Sequence, residues 1–280
     1  MTLILQVSDP HFGTEQAPVV EALVRLARAE RPDLLVLSGD ITQRATAAQF
    51  AAARAFVERL GVPQRVVIPG NHDIPLFHLP LRLFAPYRRW RRQFGSALEH
   101  VVETPDLLLI ALKTTRRRRH VDGELSLVQI DRVAARLARA GPRQRRIVVT
   151  HHPLAVPRPQ DRHDRVFRHA EAAAQWAASG ADLVLGGHIH LPCLIGLHEQ
   201  RADLARPLWV FLAGTAVSTR LRHEAGNSVN LLRWDDAAPQ GADPGRTCRA
   251  ERWDYRSETD AFAPVDVRSL VFDPAPAGRA

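Results

Sequence analysis

The chain is 280 residues long, with 45% hydrophobic and 24% charged residues and two cysteines. That composition excludes a disordered or fibrous chain, and Cys193 and Cys248 make neither a disulfide framework nor a CxxC metal pair. The net charge is +8, and Lys113 is the single lysine among 38 basic residues; such a field attracts anionic partners without choosing among them.

Apolar runs and helical periods alternate from the start. Residues 3–8 read as a strand, and with Asp9 and His11 following almost at once the expectation is a first strand rather than a signal peptide. Residues 17–30 carry helical spacing through Val20, Leu23, Val24 and Ala27, and 33–38 form a buried strand running into Gly39-Asp40. An alanine-rich helix follows over 46–60 with Thr46 as N-cap, then a strand over 65–68 that ends in Pro69-Gly70-Asn71-His72-Asp73. This β-α-β-α-β order predicts parallel pairing with right-handed crossovers.

Residues 75–94 break the rhythm, mixing Leu76, Phe77, Leu79, Leu83 and Phe84 with Arg82, Arg88, Arg89, Arg91 and Arg92. They read as an insertion over the sheet, either a packed surface helix or a membrane-touching patch. Strands resume at 100–104 and 107–112, 116–119 is a run of arginines in a loop, and Ser126 caps a helix to 140. The strand 146–150 delivers His151-His152-Pro153, and after a helix over 166–179 the strand 182–185 delivers Gly186-Gly187-His188-Ile189-His190. The remainder is strand-like over 192–197, 208–213, 227–234, 247–255 and 265–272, with a surface loop at 235–246. The strands after 235 extend the sheet or mediate a homodimer. No apolar run reaches the ~20 residues that span a bilayer, and the expected location is cytoplasmic.

Every strong strand thus ends in a metal-ligating residue type. In open α/β sheets ligands bind beyond the carboxyl ends of the strands, so these segments should meet on one rim. Taken singly, Asp9 and Asp40 also suit helix caps and Asn71 suits a turn; the five blocks in register with five strands favour a shared site. Two carboxylates, an amide oxygen and several imidazoles suit Mn, Fe or Zn. There are too many ligands for one tetrahedral ion and enough for two, an arrangement common in phosphoester cleavage.

In order, D-x-H, G-D, G-N-H-D, H and G-H-x-H resemble the calcineurin-like metallophosphoesterases, and the resemblance covers about two-thirds of the chain, from Asp9 to His190. It implies that Asp9, His11 and His190 hold one divalent metal ion. Asn71, His151 and His188 would hold a second, with Asp40 bridging the two. His151 is assigned rather than His152 because it comes first after its strand. His72 would sit near the phosphate and assist the leaving oxygen, Asp73 would orient His72, and Arg44 is a weaker candidate for a phosphate contact. The fold implied is α/β, two mixed β-sheets packed face to face with helices on the outer faces. We expect one domain over 1–273, with 75–98 as a cap insertion and 274–280 as a flexible tail.

The expected reaction is hydrolysis of a small anionic phosphodiester by a metal-bridging hydroxide. Gly39-Asp40-Ile-Thr-Gln-Arg44, His151-His152-Pro153 and the later 214–220 segment GTAVSTR are similar to the bacterial branch that hydrolyses 3′,5′-cyclic nucleotides. Lys113, where relatives often carry Asn or Asp, and the 116–119 arginines depart from that branch. A lipid-linked pyrophosphatase gripping its substrate with the 75–94 insert, a nuclease, and a non-catalytic scaffold are the competing readings. Nucleic acid is disfavoured because no DNA-binding domain is attached, and the scaffold because every ligand position is kept.

Overall fold

A computed structural model describes residues 3–222, 225–234 and 246–273. The first half follows the predicted alternation. The strand β1 (Leu3–Val7), helix α1 (Ala17–Glu30), strand β2 (Leu34–Leu37), helix α2 (Ala47–Leu60) and strand β3 (Gln64–Val67) follow one another, and the three strands pair in parallel. Thr46 caps α2: its hydroxyl accepts the Gln49 amide while the Gln49 side chain accepts the Thr46 amide, so two orphan donors are satisfied reciprocally.

The 75–94 insertion is two short helices, α3 (Leu79–Phe84) and α4 (Arg88–Phe94). Pro86 between them lacks an amide hydrogen and forbids one continuous helix. Buried Trp90 holds α4 in the same core cluster as the α2 side chains Phe50 and Phe56. Strands β4 (His100–Glu103) and β5 (Leu107–Ala111) lead to helix α5 (Leu127–Ala138), which Ser126 caps. Strand β6 (Arg145–Val149), helix α6 (His169–Ala178), strand β7 (Leu183–Gly186), strand β8 (Cys193–Gly196) and strand β9 (Trp209–Leu212) follow. Helix α6 begins three residues later than its periodicity predicts, because Phe167 bridges to Glu124 and Arg168 turns into the left-handed region at φ +67°.

Strands β10 (Ser228–Arg233), β11 (Thr247–Arg256) and β12 (Ala261–Val271) run antiparallel and extend the first sheet, whose order is β12-β11-β10-β1-β2-β3. The second sheet is β4-β5-β6-β7-β9-β8, parallel from β5 to β9 with antiparallel edges. Their inner faces meet in one cluster in which Ile4, Val36 and Val66 of the first sheet face Leu109, Ile147 and Leu185 of the second. α1 and α2 cover the outer face of the first sheet, and α5 and α6 that of the second. The architecture is the expected helix-flanked sandwich. Among the described residues no helix is long and apolar enough to cross a membrane. The predicted 235–246 loop, but for Arg246, and the 274–280 tail lie outside the described residues.

Candidate metal centre

The carboxyl ends of β1, β2 and β3 from one sheet and of β6 and β7 from the other converge on a single rim. After β1, β2 and β7 the chain turns sharply, which brings the polar side chains there to the seam. Asp9, His11, Asp40, His188 and His190 all adopt positive φ, between +43° and +72°. Left-handed backbone costs non-glycine residues of order 1–3 kcal/mol each and gathers at functional sites. Gly39 makes the approach possible: at φ +105° it carries no Cβ, and a Cβ there would collide with the His151 ring.

Two groups of donors lie side by side. In the first, His11 Nε2 and His190 Nε2 are 3.2 Å apart, and Asp9 Oδ1 lies 3.8 Å and 3.4 Å from them. The Arg220 carbonyl accepts the His190 Nδ1–H at 2.6 Å, so the His190 Nε2 presents a lone pair. Asp9 Oδ1 is buried with no hydrogen-bond partner. In the second, His151 Nε2 lies 3.2 Å from Asn71 Oδ1 and 3.4 Å from Asp40 Oδ1, while its Nδ1–H donates to the Ser38 carbonyl. His188 Nδ1 is buried beside this group without a partner. Asp40 turns Oδ1 to this group and Oδ2 to His11, at 3.7 Å.

Lone pairs converging without donors demand positive charge. A proton supplies it at His151: burial alone would lower that ring, but the Asp40 carboxylate outweighs burial and raises it to about 9. The same imidazoles hold Asp40 well below the usual carboxylate range despite its burial. His11 and His188 go the other way, lowered chiefly by burial, and so are poised as neutral ligands. Borderline divalent metals prefer this donor set of imidazole, carboxylate and amide oxygen, and the residues present fit two such ions.

The remaining sequence candidates separate. His72 faces the cavity: its backbone amide donates to Asp40 Oδ1, its Nδ1–H to the Gln43 carbonyl, and its Nε2 accepts from Arg220 Nη1 at 3.3 Å. Asp73 does not orient that ring. Its carboxylate accepts the amides of Ile41, Thr42 and Gly70 and the Thr42 hydroxyl, tying the loop after β2 to the loop after β3. Burial, and then the Asp40 charge, push Asp73 up to about 7. Arg44 does not line the cavity either: it is exposed and stacks over Phe77 at 5.4 Å. His152 is close to His151 and His188, but Nε2–H donates to the Val121 carbonyl and Nδ1 pairs with the Thr114 hydroxyl. Burial and the neighbouring His151 push it down to about 3, so it stays neutral with no lone pair to spare. Lys113 turns onto the Tyr87 ring instead of the cavity.

Sequence reasoning missed Arg220. It lines a cavity of about 500 Å³ with Asp40, Asn71, His72, His188 and His190. Its carbonyl holds His190, and its guanidinium bridges His72 and the Gln43 side chain. The only sequence signal was its place at the end of the GTAVSTR segment.

A sequence profile of the calcineurin-like phosphoesterases matches residues 2–192. The chain belongs to that family. Among curated relatives, this phosphoesterase-family chain is 30% identical over 209 residues to a cAMP/cGMP dual specificity phosphodiesterase of Mycobacterium tuberculosis, covering 67% of this chain and 61% of the relative. It is 29% identical over 163 residues to a probable cyclic nucleotide phosphodiesterase of a Synechococcus strain, covering 55% of this chain and 59% of the relative. The matches thus span about three-fifths of those relatives' length. In fold it is similar to a dimetal phosphatase of Danio rerio, with a TM-score of 0.67 at 11% identity over 97% of this chain and 99% of the other. It also resembles the yellow lupin purple acid phosphatase PPD1, with a TM-score of 0.62 at 12% identity over 96% of this chain and 53% of the other.

Proposed function

We propose that the protein is a dinuclear metal-dependent phosphoester hydrolase acting on phosphodiesters, with 3′,5′-cyclic nucleotides as the leading substrate class. The observation that carries the reading is the pair of adjoining donor groups sharing Asp40 at the base of a cavity that also presents a histidine and a guanidinium. The substrate class rests on the relatives' names.

Asp9, His11 and His190 would hold one ion, Asn71, His151 and His188 the other, and Asp40 both. Two divalent ions bound there would neutralise the substrate's charge and make water nucleophilic near neutral pH. The protein supplies the rest. The Ser38 and Arg220 carbonyls hold Nδ1 of His151 and His190, so Nε2 of each faces inward, and an ion bound there would displace the Nε2 proton of His151. Gln43 holds the Nδ1 side of His72, which leaves Nε2 facing the leaving oxygen; it would donate a proton there in the imidazolium form, with Arg220 moved from Nε2 onto the phosphoryl group. Arg220 enters the same space as a fixed cation, suited to a non-bridging phosphoryl oxygen.

A hydrolysis panel on metal-stripped protein refilled with manganese tests this. It compares bis-p-nitrophenyl phosphate, cyclic AMP, a nucleoside-diphosphate lipid and single-stranded DNA, with Asn71→Ala as control. Diesterase activity that includes cyclic AMP and is lost in the control is the expected result. Turnover confined to the lipid or to DNA would keep the metal centre and replace the substrate. Metal binding without turnover of any diester would return the chain to a scaffold role.

A further inference from the structure

We propose that the α3–α4 face is a docking surface for an anionic lipid bilayer. The observation is a cluster of large apolar side chains that, Arg44 over Phe77 aside, nothing among the described residues covers. Phe77 is 78% exposed and Phe84 86% exposed, and Leu79 and Leu83 stand exposed between them. Singly exposed apolar residues are ordinary, but four within eight residues make a patch.

The charge around them is of one sign. Residues 74–98 contain five arginines and no aspartate or glutamate. Arg82 and Arg89 are held by backbone carbonyls, of Pro75, Arg119 and Ala45, rather than by carboxylates. Arg88, Arg91 and Arg92 are exposed on α4. Arg117, from the neighbouring loop, donates to the Leu83 carbonyl and adds a further cation. Asp122 and Glu124 pair with Arg119 at one edge, and the field over α3 and α4 themselves stays positive.

That charge selects the occupant. A second copy docked on the same face would set arginine against arginine, and nothing acidic within the patch would offset the repulsion. Nucleic acid would satisfy the arginines but gain nothing from leucine side chains left in water. A bilayer with anionic headgroups answers both halves: arginines meet phosphates while Phe77 and Phe84 enter the acyl boundary. Because these side chains project outward, no shape-matched pocket is required of the partner. The same face reaches the rim of the metal cavity, since Arg82 is bonded to Arg119 and Val121 lines that cavity.

Co-sedimentation of the full chain with vesicles of phosphatidylcholine, with and without phosphatidylglycerol, tests the proposal. Binding should require the anionic lipid and weaken with salt. Arg88→Gln and Arg92→Gln should each weaken it by about fivefold, the share of one basic residue near a charged surface. Phe77→Ser/Phe84→Ser should abolish it with an unchanged circular dichroism spectrum and melting temperature, because neither ring is buried. Failure to bind anionic vesicles, or undiminished binding by the serine variant, overturns the proposal. So does a concentration-dependent dimer that the serine variant dissolves, or binding to single-stranded DNA that needs both phenylalanines. All of these readouts are independent of hydrolysis, so their failure leaves the metal centre untouched.

Discussion

Arg220 serves the site twice, through its backbone and through its side chain, and the two contributions are separable. The carbonyl that accepts the His190 Nδ1–H survives any side-chain substitution. Arg220→Gln should therefore bind two metal ions as the parent does, while losing about a hundredfold in kcat, the usual cost of deleting one preorganised donor. Metal content by mass spectrometry, set beside kcat on a diester, checks this; loss of metal would instead make the side chain structural. Asp9, Asp40, Asn71, His151 and His188 could be read from the sequence because each closely follows an apolar run. Arg220 could not, since its position depends on a loop without periodicity folding back beneath His72. Arg44 and Asp73 show the reverse: one follows a motif block and the other closes one, yet Arg44 turns outward to Phe77 and Asp73 inward to backbone amides. Cys193 illustrates a residue whose surroundings silence it. Burial pushes its thiol up to about 12, so iodoacetamide should label it slowly in the native protein at mildly alkaline pH and readily after unfolding. Rapid native labelling would contradict that placement.

At the level of elements, the strands and main helices were legible because their signals are local. The runs LLVL and LLLIA are apolar throughout, as strands buried on both faces must be. Thr46 and Ser126 announced helix starts that the structure realises with full capping boxes. What local signals missed is equally physical: a bridge from Phe167 to Glu124 delays α6, and Pro86 splits the insertion. The α2 cap reaches toward the site, since Gln49 also accepts the Arg44 amide and so steadies the loop containing Gln43. Thr46→Ala should cost about 1 kcal/mol of stability, read as a lowered urea midpoint with an unchanged slope. Asp40, the candidate ligand on that loop, is held independently by the bonds from Asp73 to Ile41 and Thr42, so metal affinity should stay within a few-fold of the parent.

The two sheets make one molecule because their inner faces share a core, and a second device locks them at the end away from the candidate metal centre. Asp182, just before β7, is buried and receives Arg246 at 2.7 Å and Arg206 at 3.0 Å on Oδ1, and the Arg146 amide on Oδ2. Arg246 leads into β11 of the other sheet and also donates to the Gln144 carbonyl. The cluster therefore pins the amino ends of β6 and β7 to the first sheet. Sequence could propose a sandwich from doubly buried strands, but not this lock or the strand order, which depend on pairings such as β10 beside β1, more than 200 residues apart. Replacing both partners of a buried ion pair by apolar groups is often tolerated, whereas removing one strands the other charge at about 3–5 kcal/mol. Asp182→Ala leaves two buried guanidinium groups facing no carboxylate and should lose that much in urea unfolding. Arg206→Met, which leaves Arg246 on the carboxylate, should lose less. If Asp182→Ala unfolds like the parent, the shared apolar core alone joins the sheets; if it loses stability but keeps its metal content, the lock and the metal centre are independent ends of one sandwich.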